Sequence, residues 1–449
     1  PEPMKEMISL PSQQADNFIT VLRAACGNGK KPLQSPDWDQ LAEWSRTQSL
    51  TALFYTGATQ YDEFQQWDAA KRQKMQIETI SIVALQAQRT QRFLELYRQL
   101  CLGGLRPLVL KGIVCRSLYG ELADYRPSCD EDLYIPPAQV ERCYALLKEC
   151  GFVLATHEAG VEQADKMQEI AFDDSASILH LELHPTLFGT DRPDLDRATR
   201  WFSNADIERR AVSVELYGET FYTLHPTDHY LYLYLHLAKH FCLTGVGLRQ
   251  IMDLAKFQLA YRDEIDWPTI KKAVETLNSP VLYADVMAVT RRFGFAVQSL
   301  TGREHNPDAL VADSLSGGVY GHDREGNGIG ALLSAAAMYP GRLQQIRRVL
   351  FPSAQQLEAS RPYLVKRPWL LPLAWLDRYR KLIRTRGFGR ETQVSIQIAQ
   401  QRIRLLKSYG LLPSSGRSPY AVKQAICTHH PRGGRAAGAI AVQGGETMK

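Results

Sequence analysis

Asp130 and Asp132 stand two residues apart in a run, DEDLYI, that reads as a β-strand. Side chains at i and i+2 of an extended chain project from the same face, so the two carboxylates share one side of the strand. They repel each other unless a cation lies between them. Ligation by oxygen alone suits Mg²⁺, which keeps some water and completes its shell from substrate phosphates. The pair therefore points to metal-dependent phosphoryl or nucleotidyl transfer. Such a site generally takes a third carboxylate to hold the metal and orient the attacking oxygen. Glu182 is the candidate, in the alternating segment ILHLELH at 178–184. There Leu179, Leu181 and Leu183 occupy one face and His180, Glu182 and His184 the other. An acid buried at that position is costly unless it is paired or ligates a metal. A rival use of the same face is Zn²⁺ shared by His180, Glu182 and His184, for which zinc normally recruits a further ligand from elsewhere.

The elements that must position these residues follow from the pattern around them. Residues 108–135 read as strand, tight glycine turn at Gly112, short helix, loop and strand, with the first strand at 107–110. Upstream, residues 7–104 are helical. They end in a long helix over 67–102 whose apolar side is marked by Ile77, Ile80, Ile82, Leu85, Phe93, Leu96 and Leu100. Gly103 and Gly104 close that helix, as glycine commonly does beyond a helix C-terminus. Downstream, a helix over 138–149 precedes strands at 152–156, 169–173 and 178–184. From 226 the chain turns helical again, with a loop at GVGLR (245–249) and a glycine-rich loop at 316–330. Residues 341–407 carry fifteen Lys and Arg against three acidic residues. The composition beyond 413 is poor in apolar residues and reads as disordered. The expected organisation is an N-terminal helical region (1–104), an α/β core (105–222), a C-terminal helical domain with the basic segment (223–412) and a tail (413–449).

Composition sets the broad class. A chain of 449 residues is longer than one hydrophobic core usually organises. The net charge of +5 is a small excess, whose distribution matters more than its size. Eight cysteines with no C-x-x-C pair fit a reduced, cytoplasmic protein better than a disulfide scaffold or a zinc ribbon. No segment reads as a signal peptide, and no run approaches the ~20 apolar residues that cross a bilayer.

Other groups have both sharp and ordinary readings. His236 and His240 have the i, i+4 spacing of a zinc-protease helix, but Leu237 stands where its general-base Glu belongs. They line the base or acceptor side of a cleft, or pack between helices. Arg249 and Asp253 form a surface i, i+4 pair, or else Arg249 reaches the nucleotide or acceptor. The basic segment is a solvated surface, an RNA or polyanion contact, or a membrane-surface contact through Trp369 and Trp375.

The ordered set Lys111-Gly112, Tyr119-Gly120, Arg126-Pro127-Ser128, Asp130-x-Asp132-Leu133 and Glu182-Leu183-His184 resembles the uncharacterised nucleotidyltransferase family of the DNA polymerase β superfamily. LHLAKHF (235–241), GVGLRQIMDLAKF (245–257), GGVYG (317–321) and the segment from LFPSAQQLEAS to PLAWLDR continue the resemblance, which spans about residues 30 to 385. It implies an α+β fold: a small mixed sheet flanked by an N-terminal helical region and a C-terminal helical domain. It also implies an NTP, with ATP expected, and two Mg²⁺ ions. Asp130 and Asp132 would bridge the metals, and Glu182 would join them at the metal that activates an acceptor hydroxyl. Gly112 would lie against the nucleotide phosphates. Lys111 and Arg126 would contribute charge to the triphosphate, and His184 would be a structural partner of Glu182 at the nucleotide site, for which His240 and Arg249 are the further candidates from the helices. The product would be an NMP, expected to be AMP, on an acceptor that is a small molecule, protein or RNA. Ile113 and Glu131 depart from the family pattern. They support an alternative: a non-catalytic nucleotide-binding or scaffold member. An RNA-directed transferase is a third reading.

Overall fold

The computed structural model describes residues 12–155, 169–176, 178–188, 202, 204–243, 245–300, 304–317, 363–386 and 400–411. All of them belong to one compact unit, Pro1–Leu412. The glycine-rich loop beyond Gly317, the tail from 413 and much of the basic segment fall outside the described residues. A seven-stranded mixed sheet comprises β1 (Leu108–Val109), β2 (Asp130–Tyr134), β3 (Phe152–Leu154), β4 (Ile170–Asp174), β5 (His180–His184), β6 (Val212–Leu216) and β7 (Glu219–Thr223). Their order is β3-β4-β5-β2-β1-β7-β6. β2 runs parallel to β5 and β1 parallel to β7, and the other neighbours are antiparallel. The fold is α+β, as the sequence leads one to expect. The β6–β7 hairpin is an addition. Its turn residues Tyr217 and Gly218 both have positive φ, 54° and 78°, the geometry that matches the twist of a two-residue hairpin.

The two faces of the sheet differ in chemistry. Leu133, Leu181, Leu183, Phe172 and Phe221 pack on one face against Phe93, Leu96, Tyr97 and Leu100 of the helix Ala69–Leu102, and against Val140, Cys143 and Leu147 of the helix Val140–Glu149. The opposite face carries the alternate residues of β2 and β5. Beyond it a second core joins the N-terminal helices, through Phe18, Leu53 and Phe54, to the C-terminal helices, through Tyr230, Met252, Val286 and Leu310. The two helical regions therefore share one interior and together form the wall that the carboxylate face meets. No helix among the described residues is long and apolar enough to cross a membrane.

The long helix departs from its expected apolar side. Asp68 caps it by accepting from the Lys71 N–H at 2.9 Å. Ile77 and Ile80 are 58% and 61% exposed, while Thr79, Gln86 and Thr90 are buried. The reason is what lies beneath. Gln86 Oε1 accepts from the Ser128 N–H at 2.7 Å, and Arg89 Nη1 donates to the Ser128 carbonyl at 2.8 Å. The helix turns polar side chains toward the loop that enters β2, because that loop's backbone groups need partners once buried.

Candidate active site

The parallel register of β2 and β5 sets Asp130 opposite His180, Asp132 opposite Glu182 and Tyr134 opposite His184. Asp132 and Glu182 are thus neighbours on one face, brought together from separate segments. His184 completes the group: its Nε2 lies 3.0 Å from Asp132 Oδ1 and 3.7 Å from Glu182 Oε2. Ligand atoms of Asp132, Glu182 and His184 all lie within 4.8 Å of one another. Asp132 and His184 are buried and Glu182 is half-buried. Asp130, half-buried at the start of β2, stands outside this close group. His180 is turned to Asp173, Nδ1 to Oδ1 2.7 Å. The trio that converges is therefore Asp132, Glu182 and His184, with Asp132 coming from a strand other than β5.

Lys111 supplies the opposite charge. Its Nζ lies 2.8 Å from Asp132 Oδ1 and donates to His236 Nε2, also at 2.8 Å. His236 in turn stacks on His240, with ring centroids 4.4 Å apart, so the i, i+4 histidines of the helix Pro226–Leu243 form a wall beside Lys111. His229 of the same helix holds the end of β1, its Nε2 2.6 Å from the Leu110 carbonyl. Burial alone would push the Asp132 carboxyl up, but the Lys111 charge and the His184 hydrogen bond hold it well below its usual range. Burial also opposes charge on His184, yet its bonds to Asp132 and Glu182 push it up to about 9. Glu182 is raised, chiefly by burial. His236 and His240 are lowered by burial and by Lys111, His240 to about 3. The two wall histidines are thus neutral, and His236 is a hydrogen-bond acceptor for the Lys111 ammonium.

Glu131 points to the other side of the sheet from Asp132 and meets a partner there. Arg116 Nη1 donates to Glu131 Oε1 at 2.5 Å, and the Ile113 N–H donates to Oε2 at 2.8 Å. Both side chains are buried. Burial raises the Glu131 carboxyl, and Arg116 opposes that rise. Gly112 lies against this carboxylate: with φ of +53° and ψ of −115°, a Cβ there would fall 1.8 Å from Glu131 Oε2. The close approach that demands glycine at this turn is to Glu131. The departure at Glu131 thus leaves the carboxylate face untouched.

Arg126 and Arg249 act on the loop before β2. Arg126 Nη2 lies 2.5 Å from Asp253 Oδ2 and its Nε 3.1 Å from Oδ1, while the Tyr119 hydroxyl donates to Oδ1 at 2.9 Å. Arg249 Nη1 donates to the Pro127 carbonyl at 2.6 Å. Asp253 therefore pairs with Arg126, not with Arg249 one turn away. The helix Leu248–Ala260 holds the loop from one side, and Gln86 and Arg89 hold it from the other. The spacing of Arg249 and Asp253 suggested a pair with each other, whereas both are buried and grip Pro127 and Arg126 in the loop before β2. The hydrogen bonds of Glu131, Arg116 and His236 to Arg116, Glu131 and Lys111 carry no local sequence signal, since these partners lie at least fifteen residues away.

Whether a divalent cation suits this trio can be judged from the donor atoms. Asp132 Oδ2 and His184 Nδ1 are buried and have no hydrogen-bond partner among the described residues, a state that is costly for a polar atom withdrawn from water. Two carboxylates and an imidazole with one carboxylate oxygen still unpartnered fit a divalent ion. The model of a family described as "Uncharacterised nucleotidyltransferase" matches residues 34–294. No curated protein and no solved structure matches the chain.

Proposed function

The chain belongs to the uncharacterised nucleotidyltransferase family, and from that premise we propose that it moves an NMP from an NTP to an acceptor hydroxyl with release of pyrophosphate. ATP as donor, AMP as the transferred group and Mg²⁺ as the metal are the choices proposed. The observation that carries the reading is the convergence of Asp132, Glu182 and His184 across the β2–β5 register. A divalent cation bound there would neutralise charge developing on the phosphate oxygens and lower the pKa of the acceptor hydroxyl. Asp130 projects from the same face of β2 and is the natural ligand for a second cation that also meets substrate phosphate. Lys111, kept protonated by its neighbours 2.8 Å from Asp132, suits a triphosphate oxygen. Because transfer of this kind leaves the protein little covalent work, most of the rate comes from positioning and charge. The anchored loop before β2 serves that positioning.

Incubation of the full chain with labelled NTPs, Mg²⁺ and candidate acceptors tests the reading. Label transferred to an acceptor with stoichiometric pyrophosphate supports it. NTP binding without transfer to any acceptor would instead favour a non-catalytic, nucleotide-binding member.

A further inference from the structure

We propose that the position formed by Asp132, Glu182 and His184 takes a first-row transition-metal dication, of which Mn²⁺ is the probe, in preference to Mg²⁺, with the His184 imidazole as a ligand. The inference rests on the reading above only in assuming that a divalent cation belongs at this centre; it replaces Mg²⁺ there and leaves Mg²⁺ to the oxygen-only position at Asp130. Three observations carry it. The ligand atoms of these residues lie within 4.8 Å of one another, and one of the three residues contributes nitrogen. The nitrogen turned toward both carboxylates is Nε2, 3.0 Å from Asp132 and 3.7 Å from Glu182. His184 Nδ1 has no hydrogen-bond partner among the described residues, so it can keep its proton while the Nε2 proton, displaced by the cation, leaves to solvent and Nε2 ligates.

Asp132 offers the complementary feature. Lys111 and His184 both address Oδ1, whereas Oδ2 is buried without a hydrogen-bond partner among the described residues. A cation can therefore be accepted at Oδ2 without expelling Lys111. Mg²⁺ takes oxygen ligands in a strict octahedron and gives up its water reluctantly. Imidazole instead raises the standing of the later first-row ions, while carboxylates keep Mn²⁺ competent in the same mixed set. Asp130, outside the close group, stays available for an oxygen-only position.

The test uses the full chain after treatment with a chelator, without NTP or acceptor. Mn²⁺ is titrated in, the free ion is read by electron paramagnetic resonance, and Mg²⁺ is added as competitor. Bound Mn²⁺ should be displaced by Mg²⁺ only at an excess on the order of tenfold or more. Its spin-echo spectrum should carry nitrogen hyperfine coupling. In His184→Gln that coupling should vanish and Mn²⁺ affinity should fall on the order of tenfold. His184→Asp should bring Mn²⁺ and Mg²⁺ close to parity. The spectrum of the unaltered protein decides the matter even if a variant fails to fold. No Mn²⁺ binding, bound Mn²⁺ without nitrogen coupling, or mole-for-mole competition by Mg²⁺ would overturn the proposal. Mg²⁺-supported transfer by a chain without nitrogen coupling removes this inference and leaves the function. Nitrogen-coupled Mn²⁺ in a chain that transfers nothing does the reverse.

Discussion

Arg126 and Asp253 face each other inside the protein, Nη2 2.5 Å from Oδ2, and so tie the loop that delivers the strand bearing Asp130 and Asp132 to a helix 127 residues further along the chain. Each is almost fully buried, and removing one leaves the other charged and unpaired. That loss typically costs about 3–5 kcal/mol. Asp253→Ala should lower the free energy of urea unfolding by about that much, and Arg126→Met combined with Asp253→Leu should recover part of it. A cost below about 1 kcal/mol for Asp253→Ala would mean that the pair does not anchor the loop.

Asp132→Asn and Glu182→Gln should each reduce nucleotidyl transfer by about 10²–10³-fold or more, the scale on which one preorganised electrostatic contact to a transition state matters. Circular dichroism should show the fold retained. Turnover at the unaltered rate in either variant would remove the centre from the mechanism.

Gly112→Ala should destabilise the protein through two causes. The backbone conformation at φ +53°, ψ −115° costs a side chain about 1–3 kcal/mol. The new methyl would also drive Glu131 from Arg116 and the Ile113 N–H. Chemical denaturation measures the sum. A change within about 0.5 kcal/mol, the range of an ordinary surface substitution, would show that Glu131 yields freely.

Burial depresses His229 to about 4, against its bond to the Leu110 carbonyl. A histidine lowered in the folded state stabilises the fold above its unfolded value, near 6.5. That contribution fades as pH falls from about 6.5 through about 4. His236 and His240 are shifted in the same direction. Stability measured by urea unfolding should therefore drop across this window. His229→Gln should flatten the slope by at most about 1.4 kcal/mol per pH unit, the share of one proton. An unchanged slope in that variant would show that His229 does not bind its proton differently on unfolding.

Much of the architecture is legible in the chain. Alternation in ILHLELH places Glu182 and His184 on one face of β5, and the i, i+2 spacing does the same for Asp130 and Asp132 on β2. Glycines after the long helix and at the β1 turn mark its breaks. The β6–β7 hairpin also had a signal, Tyr217-Gly218 between two alternating runs, that composition alone obscures. The apolar side of the long helix was misleading because Gln86 meets the buried Ser128 N–H and Thr90 meets Arg116, while Ile77 and Ile80 face outward.

By itself the sequence determined five of the seven strands, the faces their side chains occupy and the acidic character of one of those faces, because alternation and turn chemistry act over a few residues. Only the tertiary structure decided that His184 joins Asp132 and Glu182, that Lys111 lies between Asp132 and His236, that Gly112 makes room for Glu131, and that Asp253 belongs to Arg126. Those partners are set by strand register and by helices packed from far along the chain. A buried charge must find whatever opposite group that packing brings within reach.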